Sequence, residues 1–375
     1  MKSNYKPIGE LVERIDERNI DGKVTTLVGV SIDKCFIKSV ANTIGTDLTK
    51  YKLIRKKDFA VSLMQVSRDE KIPVAMQTDY DIAIMSPAYP IFRVADENII
   101  LPEYLDLWFK RSEFDREAAF IAVGGVRGSM PWEEFCRMEV LVPSIEKQRK
   151  IVKAYKTITD RITLKQQIND NLVSTADTMF SEMFLKNKTE ANISFTEIVQ
   201  IMGGGTPKTD YESYWNGDVL FFTPKDVTDS PFCISTEKHL SLKGLNNCSS
   251  KLYPPFTTFV TCRGTVGNLA MAGVPMAMNQ SCYALKGKTD YPPLFVFAFT
   301  RYVIATMKKK ASGAVFSALV TRDFEMEKVF FPKLNDAIIY QNRVKPLYYN
   351  VLANTNEIKA LNDLQSSLLS QISSR

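Results

Sequence analysis

The feature that most constrains this chain is an internal repeat. "GGVRGSMPWEEFCRMEVLVP" ends at Pro143 and "SGAVFSALVTRDFEMEKVFFP" ends at Pro332. Gly124 and Gly313, Phe135 and Phe324, and Pro143 and Pro332 are all separated by the same interval. Each copy runs on into a long polar–apolar pattern with a glutamine near its start, Gln148 or Gln341. Each copy also begins with a similar amphipathic piece, "IGELVERID" from Ile8 and "FTEIVQIMG" from Phe195. A repeat decides architecture before any local reading does. It predicts the order globular copy, helix, globular copy, helix, and 375 residues suit two or more domains.

The helical stretches carry the best periodicity. A 4-3 spacing from Ile151 picks Ile151, Tyr155, Ile158, Ile162, Lys165, Asn169, Leu172, Ala176, Met179 and Met183; all but Lys165 and Asn169 are apolar or aromatic. From Leu347 it picks Leu347, Val351, Asn354, Ile358, Leu361, Gln365, Leu368 and Ile372, with only Asn354 and Gln365 polar. Leu164 and Ile168 offer a shifted register in the first helix. Stripes this narrow and long suit a coiled-coil seam. The polar seam residues are expected to fix register at a cost in stability. A helix of about 40 residues extends about 60 Å, so two of them, antiparallel, are expected to hold the globular copies apart.

The copies themselves read as mixed. "DVLFFTP", "TFVTCRG", "MEVLVP" and "EKVFFP" predict short strands. "PEYLDLWFKRSEFDREAAF" and "PPLFVFAFTRYVIATMKK" predict helices that start just after proline and stop at glycine. The expected class is α+β.

Bulk properties exclude several functions. No run of eighteen apolar residues appears, and "MKSNYKPIGELVERID" lacks the apolar core of a signal peptide, so a cytoplasmic protein without a membrane span is expected. The cysteines at 35, 136, 233, 248, 262 and 282 form no CxxC, and His239 is the one histidine, so no metal site is expected. Buried thiols of a reducing compartment are the simplest reading. The net charge of +6 is weak evidence for nucleic acid, and no long segment is strongly basic. Any polyanion-binding face must come from local clusters such as "KYKLIRKK", Lys50 to Lys57, or "MKKK", Met307 to Lys310.

Catalytic motifs fail one by one. "GGGTPKT" lacks the Gly-Lys-Ser/Thr ending of a P-loop, and no helix-opening GxGxxG follows. "YPPF" at Tyr253 to Phe256 puts a tyrosine where an amino-methyltransferase loop needs an amide or carboxylate, and "SPAY" at Ser86 to Tyr89 lacks the second proline. Glu325, Glu327 and Lys328 have no upstream Pro-Asp partner for a nuclease metal site, and His239 has no nucleophile motif. No catalysis by this chain alone is expected.

Three stretches taken together carry a resemblance: "GGGTPKTDYESYWNGDVLFFTPKDV", "VTCRGTVGNLAMAGVPMAMNQSCYAL", and "SGAVFSALVTRDFEMEKVFFP" leading into a helix. They resemble the specificity (S) subunit of type I restriction–modification systems, and "RGSMPWEEFCRMEVLVPSIEKQRKIV" of the first copy is close to that family's strand–Pro–Gln–helix junction. The first copy departs from the pattern, with "TLVGVSIDKCFIKSVANTIGTD" in place of the Gly-Gly-Thr-Pro and Tyr-Trp block, so the copies are expected to read different half-sites.

The resemblance implies two target-recognition domains, 1–143 and 192–332, alternating with a central long helix, 144–191, and a C-terminal one, 333–375, that pair as an antiparallel coiled coil. It implies a non-catalytic subunit that recognises a bipartite sequence in double-stranded DNA. It also implies docking of two copies of a modification (methyltransferase) subunit and of restriction/translocase subunits. S-adenosylmethionine, ATP and Mg are then expected on those partners and no cofactor on this chain. A recognition partner of a fused (type IIB-like) enzyme and a non-catalytic structural adaptor remain alternatives.

Bases are read mainly by Arg or Lys on guanine and Asn or Gln on adenine, while phosphates take Lys, Arg, Ser, Thr and amides. On that chemistry the DNA-binding candidates of the first copy are Lys52, Arg55, Lys56, Lys57, Gln65 and Arg68. Those of the second are Lys208, Thr209, Lys225, Arg263, Asn279, Gln280 and Ser281. Tyr214, Trp215 and the run "VLFF" are expected in the core of the second copy.

Overall fold

A computed structural model describes residues 4–39, 45–64, 66–124, 128–186, 192–310 and 318–372. The chain divides into two compact units, Met1–Arg161 with Leu361–Arg375, and Ile162–Ala360. Gln65, Gly313 and the stretch "SGAVF" lie outside the described residues.

In the first unit a four-stranded antiparallel sheet runs in the order Val12–Ile15, Ile91–Val94, Phe59–Val61, Val74–Met76. Two further antiparallel pairs, Val28–Val30 with Phe36–Lys38 and Lys52–Arg55 with Ile82–Met85, extend the β part. Beta-branched and aromatic residues on the buried positions favour these strands. Phe59 and Phe92 stack at 5.2 Å, and Phe109, Phe114 and Phe135 close around them.

The single helix expected over "PEYLDLWFKRSEFDREAAF" is two helices, Pro102–Phe109 and Ser112–Ile121, broken at Arg111, whose backbone is extended. Residues distant in sequence impose the break. The buried Lys34 ammonium donates to the Phe109 carbonyl and pairs with Asp115 at 2.7 Å, while the Arg111 guanidinium lies 4.0 Å from the Trp108 ring centroid. Capping from elsewhere in the fold thus outcompetes local helix propensity.

The second unit holds a five-stranded sheet in the order Val199–Gly203, Cys282–Gly287, Thr258–Thr261, Leu269–Ala272, Phe232–Cys233, antiparallel except for its last pair. A three-stranded sheet places Trp215–Phe222 between Lys238–Leu240 and Met276–Met278. The helix Pro293–Lys310 buries Leu294 through Thr300 against the main core. Apolar residues all round that segment suit a helix covered on every side.

The repeat is visible as matched joints. Strand Tyr5–Pro7 pairs with Glu139–Leu141, and Ile193–Ser194 pairs with Lys328–Val329. Ile8 N–H donates to Met138 O at 2.9 Å, and Phe195 N–H donates to Glu327 O at 3.0 Å. Gln148 is wholly buried: its Oε1 accepts from Leu101 N–H at 2.8 Å, and its Nε2 donates to Ile99 O and Pro143 O at 3.0 and 2.8 Å. Gln341 repeats the first of these bonds, accepting from Leu294 N–H at 2.9 Å. Leu101 and Leu294 both stand at a proline-led helix start, where the first N–H groups lack intrahelical acceptors.

The long helices are Ile145–Phe180, followed by one π turn over Ser181–Leu185, and Leu334–Gln371. Every 4-3 position named from Ile151 and from Leu347 is buried or half-buried, whereas Leu164 is 56% exposed and Ile168 is also exposed. The shifted register is therefore not the one used.

In each unit the helical segments run antiparallel. In the first, Gln365 Nε2 donates to Thr159 Oγ1 at 2.6 Å, and Leu369 and Ile372 pack with Ile151, Val152 and Tyr155. In the second, Tyr340 O–H donates to the Ala176 carbonyl, and the polar seam residues meet. Lys165 Nζ donates to Asn354 Oδ1 at 2.9 Å and pairs with Glu357 at 2.9 Å, and Asn354 Nδ2 donates to Asn169 Oδ1 at 2.9 Å. A one-step slip would leave these buried groups unpaired, so the network fixes register.

Candidate nucleic-acid interface

The loop that opens the second copy is built for close backbone approach. A Cβ at Gly204 would run into the Asn279 carbonyl, and one at Gly205 into Ser249. The glycines thereby seat the loop on the turn that holds Asn279, Gln280 and Ser281. Thr206 Oγ1 bonds Gln280 Oε1, Gly205 N–H donates to Met278 O at 3.2 Å, and Ser281 N–H donates to Asn279 Oδ1 at 3.0 Å. Asn279 is thus committed to the turn, while Gln280 is exposed at its edge.

Lys208 and Thr209 are exposed on the same loop. Lys225 is exposed on the turn Pro224–Asp226, which is closed by Thr223 and Asp226: Thr223 N–H and Oγ1 each donate to the Asp226 carboxylate at 2.7 Å. Arg263 is exposed just after the strand Thr258–Thr261. Among the described residues, Lys208, Lys225 and Arg263 have no carboxylate within ion-pair distance.

The apolar run behaves as expected, with Phe221 and Phe222 buried and Val219 nearly so. The aromatics before it do not: Tyr211 is 50% exposed, and Tyr214 and Trp215 are half-buried. Trp215 covers Phe221 edge-on at 5.7 Å on one side and faces Lys238 at 5.7 Å. Lys238 and Lys243 carry no sequence signal of their own; only folding brings them to Trp215 and Tyr214.

The candidates of the first copy have a different setting. Lys52 is 3% exposed, and its ammonium donates to Tyr89 O at 3.0 Å and reaches Asp16 at 3.5 Å, so it is a structural lysine rather than a surface one. Burial lowers its pKa, with Asp16 opposing. Arg55 binds Glu17 at 2.6 Å, Lys57 binds Glu97 at 3.0 Å with Glu103 at 3.8 Å, and Arg68 binds Asp69 at 2.9 Å. Lys56 is exposed. In the "MKKK" cluster, Lys308 donates to Gly267 O at 3.2 Å and Lys310 binds Glu327 at 2.6 Å.

Desolvation pushes the buried Cys233 and Cys262 thiols up to about 12, which keeps them unreactive at neutral pH. Among the described residues no group of His, Cys, Asp or Glu could hold a metal ion, and no helix is long and apolar enough to cross a membrane.

Comparison with known proteins follows the same lines. Residues 187–362 match the family described as type I restriction modification DNA specificity domain. The chain is 21% identical over 400 residues to the type I restriction enzyme HindI specificity subunit of Haemophilus influenzae, covering 86% of each chain. It is 33% identical over 140 residues to the MjaIX specificity subunit of Methanocaldococcus jannaschii, covering 36% of this chain and 32% of that one. In fold it matches the S subunit of a type I restriction–modification system from M. genitalium with a TM-score of 0.61 at 12% identity, over 98% of this chain and 95% of that one.

Proposed function

We propose, from the premise that this chain carries a type I restriction modification DNA specificity domain over residues 187–362 and is similar along most of its length to specificity subunits, that it reads DNA sequence within a restriction–modification complex. It makes and breaks no covalent bond itself. Each globular copy reads one half of a bipartite duplex target, and the paired helices set the gap between the halves. The helices and joints also dock two modification subunits and the translocase, which bring S-adenosylmethionine, ATP and Mg.

The observation that carries this reading is one joint used twice under two dissimilar heads. The strand pairs, the Gln148 and Gln341 bonds and the proline-led helix starts repeat. The outer loops and their charge do not: "GGGTPKTDYESYW" has no counterpart in the first copy. Shared joints suit a common frame, and unlike surfaces suit two different sequences of bases.

Exchange of residues 193–332 for the corresponding domain of a relative tests it. Methylome sequencing is expected to show one half of the modified target changed and the other half kept. An unchanged methylation pattern overturns the reading, and a purified complex with no preference on random duplex DNA favours the structural adaptor instead. Insertion of one helical turn near Gln166 to Asn171 is expected to change the gap by about one or two base pairs, since a turn rises about 5.4 Å against about 3.4 Å per base step. An active variant with unchanged spacing rules out the spacer role.

A further inference from the structure

One face of the second unit carries lysines that nothing neutralises. Lys208 and Lys243 are exposed, and each ammonium stands 5.8 Å from a tyrosine ring centroid, that of Tyr211 and that of Tyr214. The two rings stack on each other at 5.1 Å with planes 16° apart. Lys238 makes the same kind of contact with Trp215 at 5.7 Å, and the Trp215 indole N–H points at Lys208 O, 3.4 Å away. The result is a ladder of lysine, tyrosine, tyrosine and lysine, with a tryptophan–lysine pair joined to it.

The ladder stands on a firm base. Ser241 N–H donates to Tyr214 O at 2.9 Å, and Ser241 Oγ donates to Ser213 O at 2.7 Å. Gly244 lets the short helix Leu242–Asn246 lie against the Tyr214 carbonyl, where any Cβ would collide. Lysines resting on fixed rings have lost part of their rotamer freedom before a ligand arrives, which lowers the cost of binding.

Contact with a ring leaves an ammonium its three donors, whereas a carboxylate partner would occupy them. Among the described residues no carboxylate reaches Lys208, Lys238 or Lys243 within ion-pair distance. Asp210 and Glu212 share the loop, but Asp210 accepts from Thr209 at 3.4 Å instead. Three pre-placed ammoniums with free donors suit a polyanion whose charges repeat.

We infer that this ladder is a phosphate track, on which Lys208, Lys238 and Lys243 hold backbone phosphates of bound DNA and the Tyr211 hydroxyl adds a further donor. The inference rests on the DNA-reading role proposed above. It assigns the sequence-independent affinity of the second head to one place.

The test is titration of the full chain with a labelled random-sequence duplex over a series of salt concentrations. The triple variant K208Q/K238Q/K243Q is expected to melt at the wild-type temperature. Its log–log salt slope is expected to be shallower by about 0.9 for each phosphate no longer neutralised, so by about 2 to 3 in all. Lys156→Gln, at a cation of the first long helix paired with Asp160 at 2.8 Å, is expected to leave the slope unchanged. A steep slope that survives the triple substitution overturns the track. So does an unchanged slope coupled with loss of partner-subunit binding, which assigns the face to a protein contact. A wild-type chain with no salt-dependent duplex binding instead defeats the DNA-reading role itself.

Discussion

The basic stretch of the first unit and the scattered lysines of the second reverse their apparent importance once folded. Lys52, Arg55 and Lys57 come from the densest run of cations in the chain, yet each meets an acidic partner from elsewhere: Asp16, Glu17 or Glu97. Lys208 stands well apart in sequence from Lys238 and Lys243, yet all three meet rings and, among the described residues, no acids. Local charge density is a poor guide to a polyanion site; what counts is whether the fold has already satisfied the charge. Lys52, Arg55 and Lys57 are held by acids of their own fold, whereas Lys208, Lys238 and Lys243 have no such partner among the described residues.

That contrast can be broken most sharply at Lys34. Lys34→Met takes the ammonium away from the half-buried Asp115 and the Phe109 carbonyl and is expected to cost about 3–5 kcal/mol, read as a lower urea midpoint. A loss below about 1 kcal/mol would show that the cations of the first unit are not structural.

The two joints come next. Gln148→Ala leaves one amide and two carbonyls short of partners, whereas Gln341→Ala leaves the Leu294 amide. Each unsatisfied buried group costs about 1–3 kcal/mol, so the Gln148 variant is expected to be the less stable of the pair. Equal losses would mean that the joints are equivalent despite their different bonding.

Asn354→Leu in the second unit strands Asn169, leaves Lys165 only its Glu357 partner, and is expected to destabilise by about 1–3 kcal/mol. The double change Asn354→Leu/Asn169→Leu is expected to restore or exceed wild-type stability while loosening helix register, measurable by disulfide trapping across the seam. Lys208→Gln, by contrast, is expected to shift stability by no more than about 0.5 kcal/mol.

The smallest effect concerns thiols. Burial holds Cys233 and Cys262 of the second unit at about 12, so their reactive thiolates gather only as pH rises toward that value. Alkylation of the folded chain at pH 8 is expected to modify the exposed Cys35 of the first unit and to spare both, as peptide mass mapping can check.

The parts of this fold legible in the sequence are those set by short-range periodicity. The 4-3 stripes name positions that are all buried or half-buried, because a helix face repeats on a scale the sequence displays directly, but they miss Phe180, Tyr340, Val344 and Tyr348, which the globular core of the second unit covers. One strand of each joint follows from an apolar run ending in proline, but its partner, Tyr5–Pro7 or Ile193–Ser194, carries no such signal. The break at Arg111 is not legible, since Lys34 causes it from a distance through the Phe109 carbonyl and Asp115. The pairing of the first basic cluster is hidden for the same reason. At the candidate interface, Lys208 and its glycine loop stand out, but Lys238 and Lys243 are ordinary lysines until a strand and a short helix bring them to aromatic rings.

The glutamine at each joint grips main-chain atoms: an amide at Leu294 in one copy, and an amide and two carbonyls in the other. Such a fitting is blind to side-chain identity. Any cassette that presents its backbone in the same place can be plugged in without redrawing the rod that follows it. Each head then becomes a detachable cartridge, free to drift or be traded while the chassis beneath it stays constant.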